Sequence, residues 1–239
     1  MSAPAAGPTR LHIDIWSDVM CPWCIIGYRQ LQRALADLDG EIEAAIRWRP
    51  FELNPDLPSE GEALASHILR KYGRAPSPDE TDRMVGIAEE AGYAMRYLGP
   101  GAEPERMIWN TLLAHKLLLW TFETVGSEAQ TRLKLALFDA HFQFRRNVSD
   151  REVLIEIAES VGLNGADARA ALDDEELSVK VRREEAEAME AGITSVPLIL
   201  IEGRYGIPGA QDPATYAAYL RKIVMRMQAD AGSSAAPGP

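Results

Sequence analysis

The chain reads as an α/β protein whose sheet-forming part is interrupted by a long helical block. Three observations carry this. Residues 11–51 alternate strand, helix and strand. About a hundred residues from position 56 onward carry helical signals. Residues 196–207 then return to strand character before a final helix. The order is β-α-β, a helical insertion, and α-β-β-α.

The first strand is Leu11-His12-Ile13-Asp14-Ile15-Trp16, a run in which apolar residues alternate with polar ones. A helix follows from Ile25 to Leu35, and residues 42–51 form a second strand, with Ile42, Ala44, Ile46 and Trp48 at period two. Strand, helix and strand in this order imply a parallel crossover. Asn54-Pro55-Asp56-Leu57-Pro58-Ser59-Glu60-Gly61 punctuates the chain. In the helical block, Ser77-Pro78-Asp79-Glu80 and Ser149-Asp150-Arg151-Glu152 read as capping boxes. Trp109, Leu112, Leu113, Leu117 and Trp120 fall on one helical face, as do Leu135, Phe138 and Phe142. Leu154, Ile157 and Val161 do the same, and all three stripes are core by their spacing. Residues 173–191 form a partly solvated helix. Val196 to Ile201 is a buried strand, Glu202-Gly203-Arg204 a tight turn, and Tyr205-Gly206-Ile207 a short strand. Asp212-Pro213 opens the last helix, with Tyr216, Leu220, Ile223 and Met227 on its apolar side. The division implied is residues 1–55 with 178–227, a helical insertion at 56–177, and a disordered tail at 228–239.

The chemistry concentrates in Cys21-Pro22-Trp23-Cys24, which contains the chain's two cysteines. The motif lies at a strand-to-helix junction, where a dithiol redox site belongs. Pro22 suits the first helical position, which puts Cys21 at the helix N-terminus, where free N–H groups and the helix dipole favour a thiolate. Cys21 is therefore the expected nucleophile. Cys24, one turn on, is the expected resolving thiol, with the more buried sulfur and the higher pKa. The uncharged Trp23 implies a less oxidising couple than a histidine there would give. A structural disulfide closing so short a loop would stabilise weakly. A zinc site needs about four ligands, and His12, His67, His115 and His141 are dispersed. No metal is expected.

The 239 residues carry a formal net charge of −11. That argues against nucleic acid as a partner, since phosphates would be repelled. No apolar run approaches membrane-spanning length. The first ten residues lack an apolar leader region, so the reading is of a cytoplasmic protein.

Residues 11–227 resemble the thioredoxin-fold DsbA family, and within it the cytosolic FrnE-like branch. That branch is close to 2-hydroxychromene-2-carboxylate isomerases and kappa-class glutathione transferases. The resemblance rests on Asp18-Val19-Met20-Cys21-Pro22-Trp23-Cys24, Phe51-Glu52-Leu53-Asn54-Pro55, Ser195-Val196-Pro197-Leu198 and Ile207-Pro208-Gly209-Ala210-Gln211. It implies a thioredoxin-like fold with an all-helical domain inserted after the first β-α-β unit, and dithiol–disulfide oxidoreductase activity. It also implies a cis proline at Pro197 beside the dithiol, so that Cys21, Cys24 and Pro197 form the catalytic set. The backbone of Val196 would then pair with a substrate peptide like an added strand. Pro22, Trp23, Val196 and Gln211 are the expected substrate-binding residues. Asp14 on the first strand is a candidate proton relay behind Cys24. Asp18 reads as a surface turn residue or an N-cap.

The isomerase and transferase relatives carry serine at the position of Cys21, so this chain departs from their pattern. Glutathione-dependent isomerase or transferase chemistry is the alternative function. No tightly bound cofactor is expected, and glutathione enters as a reductant or a substrate. The partners implied are a disulfide-containing protein or small-thiol substrate and, by the habit of the family, a second copy of the chain in a homodimer.

Overall fold

The computed structural model describes residues 7–234. Strand β1 (Thr9–Ser17) lies at the centre of a four-stranded sheet of order β2-β1-β5-β6. It runs parallel to β2 (Ile42–Pro50) and antiparallel to β5 (Leu198–Ile201), which pairs in turn with β6 (Tyr205–Pro208). The parallel crossover is made by helix α1 (Pro22–Asp37).

Period two on β1 divides the sheet into two faces. Leu11, Ile13 and Ile15 point to one, where they pack with Ile25, Ile26 and Leu31 of α1 and with Tyr216 and Leu220 of α9 (Pro213–Ser234). Trp16 points to the other and packs with Ala188 of α8 (Glu175–Glu190) and with Phe51. This core and the helices on both faces make the thioredoxin-like α/β arrangement.

The helical block comprises α2 (Leu64–Tyr72), α3 (Pro78–Glu90), α4 (Leu112–Thr124), α5 (Ser127–Phe142), α6 (Arg151–Ser160) and α7 (Gly165–Asp173). Leu117, Leu133, Leu137, Leu154 and Ile157 build its own core. It is joined to the sheet through α5. The Gln130 carboxamide accepts from Trp48 N at 2.8 Å and donates to Trp48 O at 2.9 Å. This closes part of the exposed edge of β2, which would otherwise present unpaired backbone groups.

Five local expectations are corrected. The segment 56–177 is not wholly helical, because β3 (Glu62–Ala63) and β4 (Met107–Ile108) form an antiparallel pair too short to show periodicity. Trp109 follows β4 and precedes α4, so it is not on the helical stripe assigned to it. Asp150 caps α6 in place of Ser149, because its carboxylate accepts from both Glu152 N and Val153 N, while Ser149 Oγ donates to Ser59 O at 2.6 Å. The last helix continues to Ser234, past the expected boundary at 227, through good helix formers such as Gln228 and Ala229. Residues 235–239 of the expected tail lie outside the described residues. The expected boundary at 177/178 falls inside α8, whose N-terminal half packs on α4 and whose C-terminal half reaches β2.

Candidate active site

Cys21 is the N-cap residue of α1 and Pro22 its first helical residue. Its extended backbone (φ −84°, ψ 114°) turns the chain out of the loop after β1. Cys24 N donates to Cys21 O at 3.1 Å, closing the first turn. Both cysteines are free thiols and both are buried, Cys21 with 3% of its surface exposed and Cys24 with none. Trp23, between them, is 40% exposed. The Val196–Pro197 peptide is cis, and the Cys21 thiol points to the Val196 carbonyl oxygen at 3.7 Å.

Two further contacts lock this corner. Gly209 N donates to Pro197 O at 2.8 Å, tying the loop after β6 to the proline. Gly27 in α1 lets the helix approach the same loop, since a Cβ there would lie 3.3 Å from both Pro197 Cγ and Ala210 Cα. Gln211 stands at the end of that loop, with its carboxamide donating to Pro208 O at 2.7 Å. The structure therefore gathers Cys21, Pro22, Cys24, Val196 and Pro197 in one place, with Trp23 at the surface.

Residues 12–221 match the DSBA-like thioredoxin domain. This chain belongs to the DsbA-like family. It is 32% identical over 202 residues to the uncharacterized protein YwbO of Bacillus subtilis (strain 168), across 84% of this chain and 90% of that one. It is similar to the crystal structure of a probable DsbA oxidoreductase from Streptomyces coelicolor, with 29% identity, a TM-score of 0.75 and coverage of 89% of each chain. The cytosolic disulfide reductase DsbM of Pseudomonas aeruginosa shares the fold, with a TM-score of 0.62 at 17% identity, covering 90% of this chain and 99% of that one.

Behind the DsbA-like dithiol lies a set of buried charges that sequence reasoning missed. Lys134 of α5 is fully buried, and its ammonium donates to Ser17 O at 3.3 Å. It also lies over the rings of Trp48 and Phe138, at 5.3 and 5.0 Å from their centroids. Burial lowers its pKa to about 8, against the opposing pull of Cys24, Asp18 and Cys21. Asp18 is fully buried rather than on the surface. Its carboxylate accepts from Met20 N at 3.2 Å and Leu53 N at 2.8 Å, so it joins the loop before Cys21 to the chain after β2. Burial raises its pKa, although the Leu53 bond and Lys134 work the other way. His115, 3.9 Å from Asp18, is held well below the usual histidine range by burial and by Lys134, and so is neutral.

Asp14, by contrast, cannot serve Cys24. It alternates with Ile13 and Ile15 and so faces away from α1, on the side of Glu184 in α8. The expected order of thiol acidities is also corrected. Cys21 is pushed well up, first by the hydrogen bond it donates to Cys24, then by burial and by the charge on Cys24. Burial would raise Cys24 too, but hydrogen bonds from Cys21 and Ser17 and the Lys134 ammonium outweigh it and bring it down. Of the two sulfurs, Cys24 is the one whose negative charge the buried Lys134 ammonium favours more.

The missed residues left partial signals. Lys134 follows Gln130 by one turn and precedes Phe138 by one turn, so it is a lysine on an apolar helical face. Gly27 is a glycine inside an apolar helix, where it costs about 1 kcal/mol and calls for a packing reason. No such signal marks Asp18, because a turn aspartate is ordinarily solvated.

Proposed function

We propose that this chain is a dithiol–disulfide oxidoreductase in which Cys21 attacks and Cys24 resolves. The observation that carries it is the placing of two free thiols one helical turn apart, with Cys21 against the Val196 carbonyl and Cys24 against a buried ammonium. A proton shift along the Cys21 S–H···S Cys24 bond moves the negative charge onto Cys21. The Cys21 thiolate then attacks one sulfur of a substrate disulfide and expels the other as a thiolate. This leaves a mixed disulfide on Cys21 and a protonated Cys24. The thiolate expelled from the substrate takes the Cys24 proton, and the Lys134 ammonium favours the Cys24 thiolate so formed. Cys24 displaces the substrate from Cys21, and two electrons have passed from the dithiol to the substrate. The reverse sequence oxidises a substrate dithiol.

A substrate peptide pairs alongside Val196, with Pro22 and Trp23 at its surface and Gln211 at its end. Protein disulfides and glutathione disulfide are the substrate classes, and glutathione is the reductant that restores the dithiol. The retention of both cysteines favours this over glutathione-dependent isomerisation. The test is trapping. Incubated with a disulfide substrate, Cys24→Ser is expected to accumulate a mixed-disulfide adduct on Cys21, and Cys21→Ser to form none. The opposite pattern overturns the assignment of roles.

A further inference from the structure

A cleft of about 280 Å³ opens beside the dithiol, between α2, α3 and the start of α1. Its inner wall includes Met20 and Pro22, the two residues flanking Cys21. Cys21 itself is buried and does not line the cleft, but the residues on either side of it do, so an occupant lies against the segment that carries the reacting sulfur. Met20, Met84, Met95 and Met107 all line it, which gives a polarizable wall able to adapt to flat or irregular apolar groups. His141 lines it as well. Burial lowers its pKa to about 3, so it puts no charge inside. The charged part of the lining is different. Arg74 is matched there by Glu80 at 2.7 Å, but Arg106 and Arg145 share one carboxylate, that of Glu103, at 3.0 and 2.7 Å. One positive charge is left over, on a chain whose net charge is −11. Arg106 bonds Glu103 through Nε and its side chain is 41% exposed, whereas that of Arg145 is 8% exposed.

We propose that this cleft is the specificity pocket of the dithiol, and that it takes a ring-sized apolar arm of a disulfide substrate ending in a carboxylate over Arg106. The volume, at the lower end of small-molecule sites, suits one ring or one large side chain and not a folded surface. The inference rests on Cys21 being the attacking thiol.

The experiment uses pre-reduced protein in single turnover, so that the dithiol is the only electron source. Three disulfides are compared: dithiobis(nitrobenzoate), aromatic and dianionic; dithiodipyridine, aromatic and neutral; and hydroxyethyl disulfide, which has no ring. Met84→Trp, which fills the cleft, is expected to lower the rates for both aromatic disulfides about tenfold relative to that for hydroxyethyl disulfide. Arg106→Gln is expected to slow only the dianion, about twofold to fivefold, an effect lost in about 1 M salt. In the unaltered protein, naphthoate is expected to compete with the aromatic disulfides, and naphthalenemethanol to compete more weakly. Equal loss across the three substrates in Met84→Trp, or no competition by naphthoate, overturns the pocket. Failure of the underlying reading is distinct, since Cys21→Ser would then still react with hydroxyethyl disulfide.

Discussion

Replacing Lys134 with methionine removes a buried charge while keeping an unbranched side chain of similar reach. The depression of Lys134 from 10.5 to about 8 is the cost of burial left after the favourable charges of Cys24, Asp18 and Cys21. At about 1.36 kcal/mol per pKa unit, this is about 3 kcal/mol at neutral pH. Against it stands the lost hydrogen bond to Ser17 O, whose buried carbonyl would be left unpaired at about 1–3 kcal/mol. Lys134→Met should therefore equal the parent in stability at pH 7 or exceed it by up to about 2 kcal/mol. Removing one partner of an ordinary buried ion pair would instead cost about 3–5 kcal/mol. The sign with pH follows from proton counting. Between about pH 8 and 10.5 the unfolded chain holds a proton at Lys134 that the folded chain has released, so parent stability rises with pH across that window. The variant lacks this rise. Its advantage is full below about pH 8 and gone by pH 10.5. Denaturant titrations at several pH values measure this, and ultraviolet thiolate absorbance measures the dithiol on the same samples. The thiolate should appear at higher pH in the variant, because the cation that lowers Cys24 is gone. A variant destabilised by more than about 2 kcal/mol at pH 7, with an unmoved thiolate titration, would refute the reasoning and make Lys134 a structural pillar.

Three other predictions concern residues around the dithiol. Asp18→Ala strips the acceptor from two buried N–H groups, Met20 N and Leu53 N, and should destabilise by about 2–5 kcal/mol in denaturant melts. Asp14→Ala should stay within about 0.5 kcal/mol and leave the thiol titration alone, and a reversal of the two would return the relay to Asp14. Gly27→Ala inserts a Cβ 3.3 Å from Pro197 Cγ and Ala210 Cα. It should lose about 1–2 kcal/mol despite alanine's better helix propensity, and a gain of about 1 kcal/mol would mean that the loop yields freely.

Much of the architecture was legible because each large element carries its own periodicity. The alternation on β1 and β2, the proline at the start of α1 and the apolar run of β5 each reflect one dominant local force. The same alternation, followed through, turns Asp14 away from the dithiol, since Leu11, Ile13 and Ile15 face α1 and their neighbour does not. Asp18 was illegible because its partner, Leu53 N, is 35 residues away in sequence, so only the fold brings the donor to it. The acidity order failed for a related reason. The helix-terminal argument for Cys21 is local, whereas the cation that decides the balance comes from α5, held in place by the Gln130 bonds to β2. Strands β3 and β4, two residues each, have no period to read.

The most direct test of the account is the reduction potential of the Cys21–Cys24 couple, measured by equilibrating the protein with glutathione buffers and counting free thiols. A reversible two-electron couple between about −270 and −120 mV is expected, and its value sets whether the protein runs as a reductant or an oxidant in its compartment. A bond that glutathione cannot reduce, or two thiols that never pair, would contradict the dithiol mechanism.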